Sequence, residues 1–152
     1  HMLPDGLSHD IVVMNGDILT KVDFKKMLQF HANCDAAATM AVKDYVLEIP
    51  YGVVNVDESG VIKSFREKPS HRFFVNAGIY VLSSKIIKHI PNGEFYDMPT
   101  LFQELMDKNQ TVSAFPIREY WLDIGLPKDY EQANIEFDKQ FTDSGSQQRG
   151  SH

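Results

Sequence analysis

Twice in this chain an apolar run ends on an aspartate, and this constrains the fold more than any other feature. Ile11-Val12-Val13-Met14 leads into Asn15-Gly16-Asp17, and Trp121-Leu122 leads into Asp123-Ile124-Gly125. A short apolar β-branched run reads as a strand buried on both faces. Open α/β sheets bind ligands at the carboxyl ends of their strands. Each Asp therefore leaves the sheet where a phosphate or metal would be held, and Gly16 allows close approach of backbone or ligand. An Asp in such a place also serves as a turn former or helix cap, so the segments between the two decide its meaning.

Those segments alternate. Asp23 is placed to cap a helix with the apolar stripe Phe24, Met27, Leu28 and His31. Ala36 to Val42 reads as a strand. Tyr51 to Val56 and Val61 to Phe65 read as a hairpin around Asp57-Glu58-Ser59-Gly60. Phe73 to Leu82 is a long apolar strand interrupted by Asn76 and Gly78. Ser83 or Ser84 can cap a short helix through Lys88, and Pro99 suits the first turn of another. Val112 to Ile117 and Tyr120 to Ile124 read as strands, and Pro127 opens a last helix reaching Phe141. The pattern predicts an α/β fold with a mixed, mainly parallel sheet flanked by helices.

Length and charge narrow the function classes. The 152 residues suit one domain, expected over 3–141. A tail over 142–152 reads as disordered or vector-derived, and His1-Met2 resembles a cloning-site remnant. A net charge of −6, from 15 basic and 21 acidic residues, argues against a nucleic-acid surface. No apolar stretch reaches membrane-spanning length. The single Cys34 excludes an internal disulfide framework and fits a reducing compartment, so a cytoplasmic location is expected.

Three places between the aspartates, and the aspartates themselves, carry candidate chemistry. In Glu67-Lys68-Pro69, Lys68 offers a compact positive charge to a phosphate, and Glu67 a carboxylate to a sugar hydroxyl. The same tripeptide also reads as a solvated strand end with a Pro stop. Asn76-Ala77-Gly78 marks either a close backbone approach by a ligand or a bulge with a satisfied amide. Gly52 offers a backbone N–H to a ligand or simply starts a strand. Asp17 and Asp123 read as hard oxygen ligands for Mg²⁺, since two carboxylates plus substrate phosphates commonly hold that ion. The six His residues show no metal spacing, and His31 reads as a helix-surface or core residue.

In this order, Asn-Gly-Asp at 15–17, Tyr-Gly-Val-Val at 51–54, Phe-Arg-Glu-Lys-Pro at 65–69, Val-Asn-Ala-Gly-Ile-Tyr at 75–80 and Trp-Leu-Asp-Ile-Gly at 121–125 resemble the sugar-1-phosphate nucleotidyltransferases. The resemblance runs from about Ile11 to about Ile135 and leans toward the mannose-1-phosphate guanylyltransferase-like members. It implies a partial Rossmann-like nucleotidyltransferase fold. It implies that a sugar-1-phosphate oxygen attacks the α-phosphorus of a nucleoside triphosphate, giving an NDP-sugar and pyrophosphate. It also implies Mg²⁺ at Asp17 and Asp123, with Lys68 near the sugar phosphate. Sugar contacts would come from Gly52, Glu67, Asn76 and Gly78. Such a transfer needs positioned reactants and charge neutralisation, with no covalent protein nucleophile.

The family pattern opens with a Gly-rich loop carrying an Arg, and the residues before Asp17 do not supply it. The chain therefore reads as the carboxyl-terminal part of a catalytic domain. Little or no transfer is expected from it alone, and a homodimer is expected to cover its exposed sheet surface. The alternative is a non-catalytic sugar-phosphate-binding or assembly module on the same half-fold.

Overall fold

The computed structural model describes residues 8–91 and 93–142. In chain order the elements are β1 (Ile11–Met14), β2 (Ile18–Thr20), α1 (Phe24–Asn33), β3 (Ala38–Glu48), β4 (Val53–Val56), β5 (Ile62–Arg66) and β6 (Ser70–Leu82). They continue with α2 (Ser84–Ile87), α3 (Met98–Asp107), β7 (Val112–Ile117), β8 (Trp121–Asp123) and α4 (Pro127–Phe137), which runs into a π-helical turn, Asp138–Thr142. The tail expected over 142–152 lies, past Thr142, outside the described residues, as does His1-Met2.

The long apolar run becomes the inner strand of the main sheet, whose order is β1-β6-β3-β7. Its residues alternate between two cores. Ile79 and Val81 pack with Met27 of α1, Val22, Ala41 and Ile117. Tyr80 and Leu82 pack with Ile86 of α2 and with Leu101, Phe102 and Leu105 of α3. Burial on both faces explains why this stretch lacks the alternation of a one-sided strand.

The sheet is mixed, but the expectation that it is mainly parallel needs correction. β6 pairs antiparallel with both β1 and β3, and only β3 and β7 pair in parallel. β1, β3 and β7 thus share one direction. Because the opposed β6 lies inside the sheet, it makes two of the three pairings antiparallel.

β3 also extends past the expected Val42 to Glu48, paired with β6 down to Glu48↔Ser70. Its outer residues are exposed, so backbone pairing with β6, not burial, holds this arm. Beyond it Ile49 N–H donates to the Pro69 carbonyl at 3.0 Å, and the β4–β5 hairpin follows.

Local signals set the helix ends. An Asp23 carboxylate oxygen accepts from Lys26 N–H at 3.1 Å, and one of Asp97 accepts from Thr100 N–H at 2.9 Å. Each satisfies a donor that the first turn leaves unpaired.

His31 is a core residue. Its Nδ1 lies 2.6 Å from the Thr39 hydroxyl and its Nε2 3.2 Å from the Ser83 hydroxyl. Ser83 itself donates to the Ala36 carbonyl. Because the Ser83 hydroxyl spends its proton on the Ala36 carbonyl, it accepts from His31 Nε2–H. Burial lowers the His31 pKa below its ordinary value, opposed by the nearby Asp10 carboxylate. The unfolded chain then binds the extra proton, so stability falls as pH drops below the ordinary histidine value of about 6.5. Urea unfolding at pH 7.5 and 5.5 is expected to show a lower midpoint at the acid pH. Replacing His31 by Gln is expected to flatten that dependence.

Candidate functional site

Asp17 and Asp123 are brought together by a ladder that stands outside the main sheet. β2 and β8 pair antiparallel, with Ile18 opposite Asp123, Leu19 opposite Leu122 and Thr20 opposite Trp121. One step further, Ile124 N–H donates to the Asp17 carbonyl at 2.8 Å. The aspartates are thus one residue out of direct opposition, and both are exposed. Asp123 is the last residue of β8, and Asp17 lies in the turn between β1 and β2.

Beside this ladder β6 bulges. The β3–β6 register steps from Met40↔Tyr80 to Val42↔Asn76. Gly78 takes φ +69°, a backbone state that suits glycine. The Asn76 side-chain oxygen accepts from Gly78 N–H at 2.9 Å, and its amide nitrogen donates to the Tyr80 hydroxyl at 2.8 Å. The Asn76 amide is therefore tied into the bulge on both sides. What approaches Gly78 is Asn15: a Cβ at Gly78 would lie 2.8 Å from the Asn15 amide nitrogen.

Gly52, Glu67 and Lys68 form a second group, past the Ile49–Pro69 hydrogen bond. Val53 pairs with Arg66, so Gly52 and Glu67 sit at the mouth of the β4–β5 hairpin. A Cβ at Gly52 would come within 2.5 Å of the Phe65 ring and 3.0 Å of a Glu67 carboxylate oxygen. Lys68 has φ +41° and precedes Pro69. A left-handed lysine before proline is held there at a cost on the order of 1 kcal/mol, as sites that aim a side chain often are. Along β6, Ser70 is six residues from Asn76, about 20 Å at the usual strand rise. A cavity of about 180 Å³ bounded by Asp10, His31, Asp35 and Ser83 contains none of these site candidates.

The aspartate pair supplies the donor type that a hard divalent cation takes. It offers carboxylate oxygens on neighbouring backbone, and no group of three or more His, Cys, Asp or Glu residues able to hold a metal occurs among the described residues. Remaining coordination positions would fall to phosphate oxygens and water, the usual arrangement for Mg²⁺.

Reading the sequence did not assign Trp121 a role. Its indole N–H donates to the Ala77 carbonyl at 2.8 Å. The signal available was the one Trp of the chain, two residues before a candidate ligand.

The structure is an α/β fold with two aspartates on neighbouring backbone and an Asn-Ala-Gly bulge beside them. The chain belongs to the nucleotidyl transferase family, whose model matches residues 2–140. It is 34% identical over 125 residues to the mannose-1-phosphate guanylyltransferase catalytic subunit beta of Drosophila melanogaster, covering 81% of this chain and 34% of that protein. It is 36% identical over 129 residues to the UTP–glucose-1-phosphate uridylyltransferase of Synechocystis, covering 80% and 33%. Among solved structures, HddC from Yersinia pseudotuberculosis superposes with a TM-score of 0.57 at 27% identity, covering 86% of this chain and 56% of that one. The chain therefore spans about a third of the length of the curated relatives it matches. No helix among the described residues is long and apolar enough to cross a membrane.

Proposed function

We propose that this chain carries the sugar-phosphate and metal side of a sugar-1-phosphate nucleotidyltransferase site. The observation that carries the reading is the β2–β8 ladder, which sets Asp17 beside Asp123. In the proposed reaction a sugar-1-phosphate oxygen attacks the α-phosphorus of a nucleoside triphosphate, and pyrophosphate leaves. Asp17 and Asp123 would hold Mg²⁺, which supplies charge neutralisation and orients phosphate oxygens. Lys68 would pair with the sugar phosphate, and Glu67 and the backbone at Gly52 would contact the sugar. The β3–β6 arm that carries them would bend over the aspartates to close a gap of roughly 20 Å. Asn76, which already stands beside the aspartates, would contact the sugar there. Gly78, its N–H and carbonyl paired with Asn76 and Asn15, would line the sugar without a backbone hydrogen bond. The left-handed φ of Lys68 supports that role, as does the close approach of Glu67 to Gly52.

The exposed arm supports a homodimer. Tyr45 and Phe73 face each other across it at 52% and 50% exposure, beside Leu47 at 45%. Such a stripe invites a second copy, and sedimentation at rising concentration is expected to show a monomer–dimer shift.

Calorimetry with mannose-, glucose- and glucosamine-1-phosphate in the presence of Mg²⁺ tests the Lys68 assignment. A hydrogen bond to a charged group is worth about 1.5–3 kcal/mol. Lys68→Ala is therefore expected to weaken the best ligand by roughly 10–100-fold. Equal affinity in the two proteins would remove Lys68 from the site.

A further inference from the structure

We infer that the β6 bulge at Ala77–Gly78 is the alignment element of the Asp17–Asp123 pair, with Trp121 and Asn15 as its positioning residues. The inference rests on the reading of those aspartates as metal ligands. β2 and β8 form a separate ladder of three residue pairs. A two-stranded ladder that short is marginal by itself. Something must fix it against the main sheet if two carboxylates on it are to keep one spacing.

Two consecutive carbonyls of the bulge meet that need. The Ala77 carbonyl accepts from the Trp121 indole at 2.8 Å, and the Gly78 carbonyl accepts from Asn15 N–H at 2.9 Å. Trp121 lies two residues before Asp123, and Asn15 two residues before Asp17. The strand approaching each aspartate is therefore pinned to one side of the same two-residue step.

The step is itself rigid. Ala77 and Gly78 are buried, and Asn76 bridges Gly78 N–H to the Tyr80 hydroxyl. Gly78 also leaves room for the other clamp. A Cβ there would meet Asn15 at 2.8 Å and 3.1 Å and the Ile18 side chain at 3.4 Å. On this reading Gly78 serves the site by admitting Asn15. Asn76 holds the bulge in the same way.

Two readouts in Trp121→Phe and Gly78→Ala test the clamp. One is amide hydrogen exchange at Ile124, whose N–H donates to the Asp17 carbonyl. The other is Mn²⁺ affinity, from the free-ion electron paramagnetic resonance signal. Each variant is expected to speed exchange at Ile124 and to weaken Mn²⁺ binding by about fivefold or more, the worth of one ordinary hydrogen bond. Leu105→Val, in the core on the other face, is expected to lower thermal stability while leaving Mn²⁺ affinity unchanged. Trp121→Phe is the milder change and stands alone if Gly78→Ala does not fold. Unchanged exchange at Ile124, or wild-type Mn²⁺ affinity in a folded clamp variant, overturns the inference. If the wild-type chain binds no Mn²⁺, the metal reading itself fails, and Ile124 exchange alone decides whether the clamp aligns the two strands.

Discussion

Replacing Asp17 and Asp123 together by Asn is expected to weaken Mn²⁺ binding by at least about 100-fold. Residues that merely hold a metal ligand in place are worth about 10–100-fold in affinity, and here the ligand charges themselves are removed. Asn keeps the size of Asp and its turn-forming habit. Both aspartates are exposed, and the contact between their segments runs through backbone, from Ile124 N–H to the Asp17 carbonyl. The double variant is therefore expected to unfold at the same urea concentration as the wild type. The single variants are expected to be non-additive, because both carboxylates serve one ion. The free-ion resonance signal in a Mn²⁺ titration reads all four proteins. Wild-type affinity in the double variant would place the ion elsewhere.

The largest stability loss is expected from Ile79→Ala. Ile79 has no exposed surface and lies on the inner strand of the sheet, between β1 and the cluster formed with Met27 and Ile117. Neighbours on both faces of β6 are held by helices and paired strands, so the space left behind cannot close easily. Truncations of this kind cost about 2–5 kcal/mol. Ile135→Ala makes the comparison, since Ile135 is 65% exposed on α4. Its effect is expected to stay within about 0.5 kcal/mol. Urea titration of both variants separates the two cases, and equal midpoints would contradict the assignment of Ile79 to the core.

Features written in neighbouring residues were legible in the sequence. The cap at Asp23 depends on an atom three residues away, and Pro99 falls in the first turn of α3. The Pro127 helix start and β7 over Val112–Ile117 fall where the patterns put them. The closeness of the two aspartate segments was legible because both share one strand–Asp–turn context.

What escaped depends on partners far along the chain. β2 is three residues long and exists because β8 lies opposite it. The direction of each pairing turns on where the β3–β6 hairpin inserts, which no local pattern records. The outer half of β3 looks polar and broken, yet it pairs with β6 as far as Ser70. At the site, the interruption at Asn76 and Gly78 was visible, but not that its neighbours are Tyr80, Asn15 and Trp121. A glycine in a strand announces a close approach without saying by what.

One divalent ion held jointly by Asp17 and Asp123 would touch the phosphate of a sugar-1-phosphate. Phosphorus-31 relaxation of mannose-1-phosphate with substoichiometric Mn²⁺ measures this most directly, because the paramagnetic ion relaxes only nuclei within its reach. The wild-type chain is predicted to enhance the relaxation well above that in protein-free solution, and Asp17→Asn/Asp123→Asn to abolish the enhancement. The same relaxation with and without the wild-type chain, or an enhancement that survives loss of both carboxylates, would rule out an ion shared by Asp17 and Asp123 at the sugar phosphate.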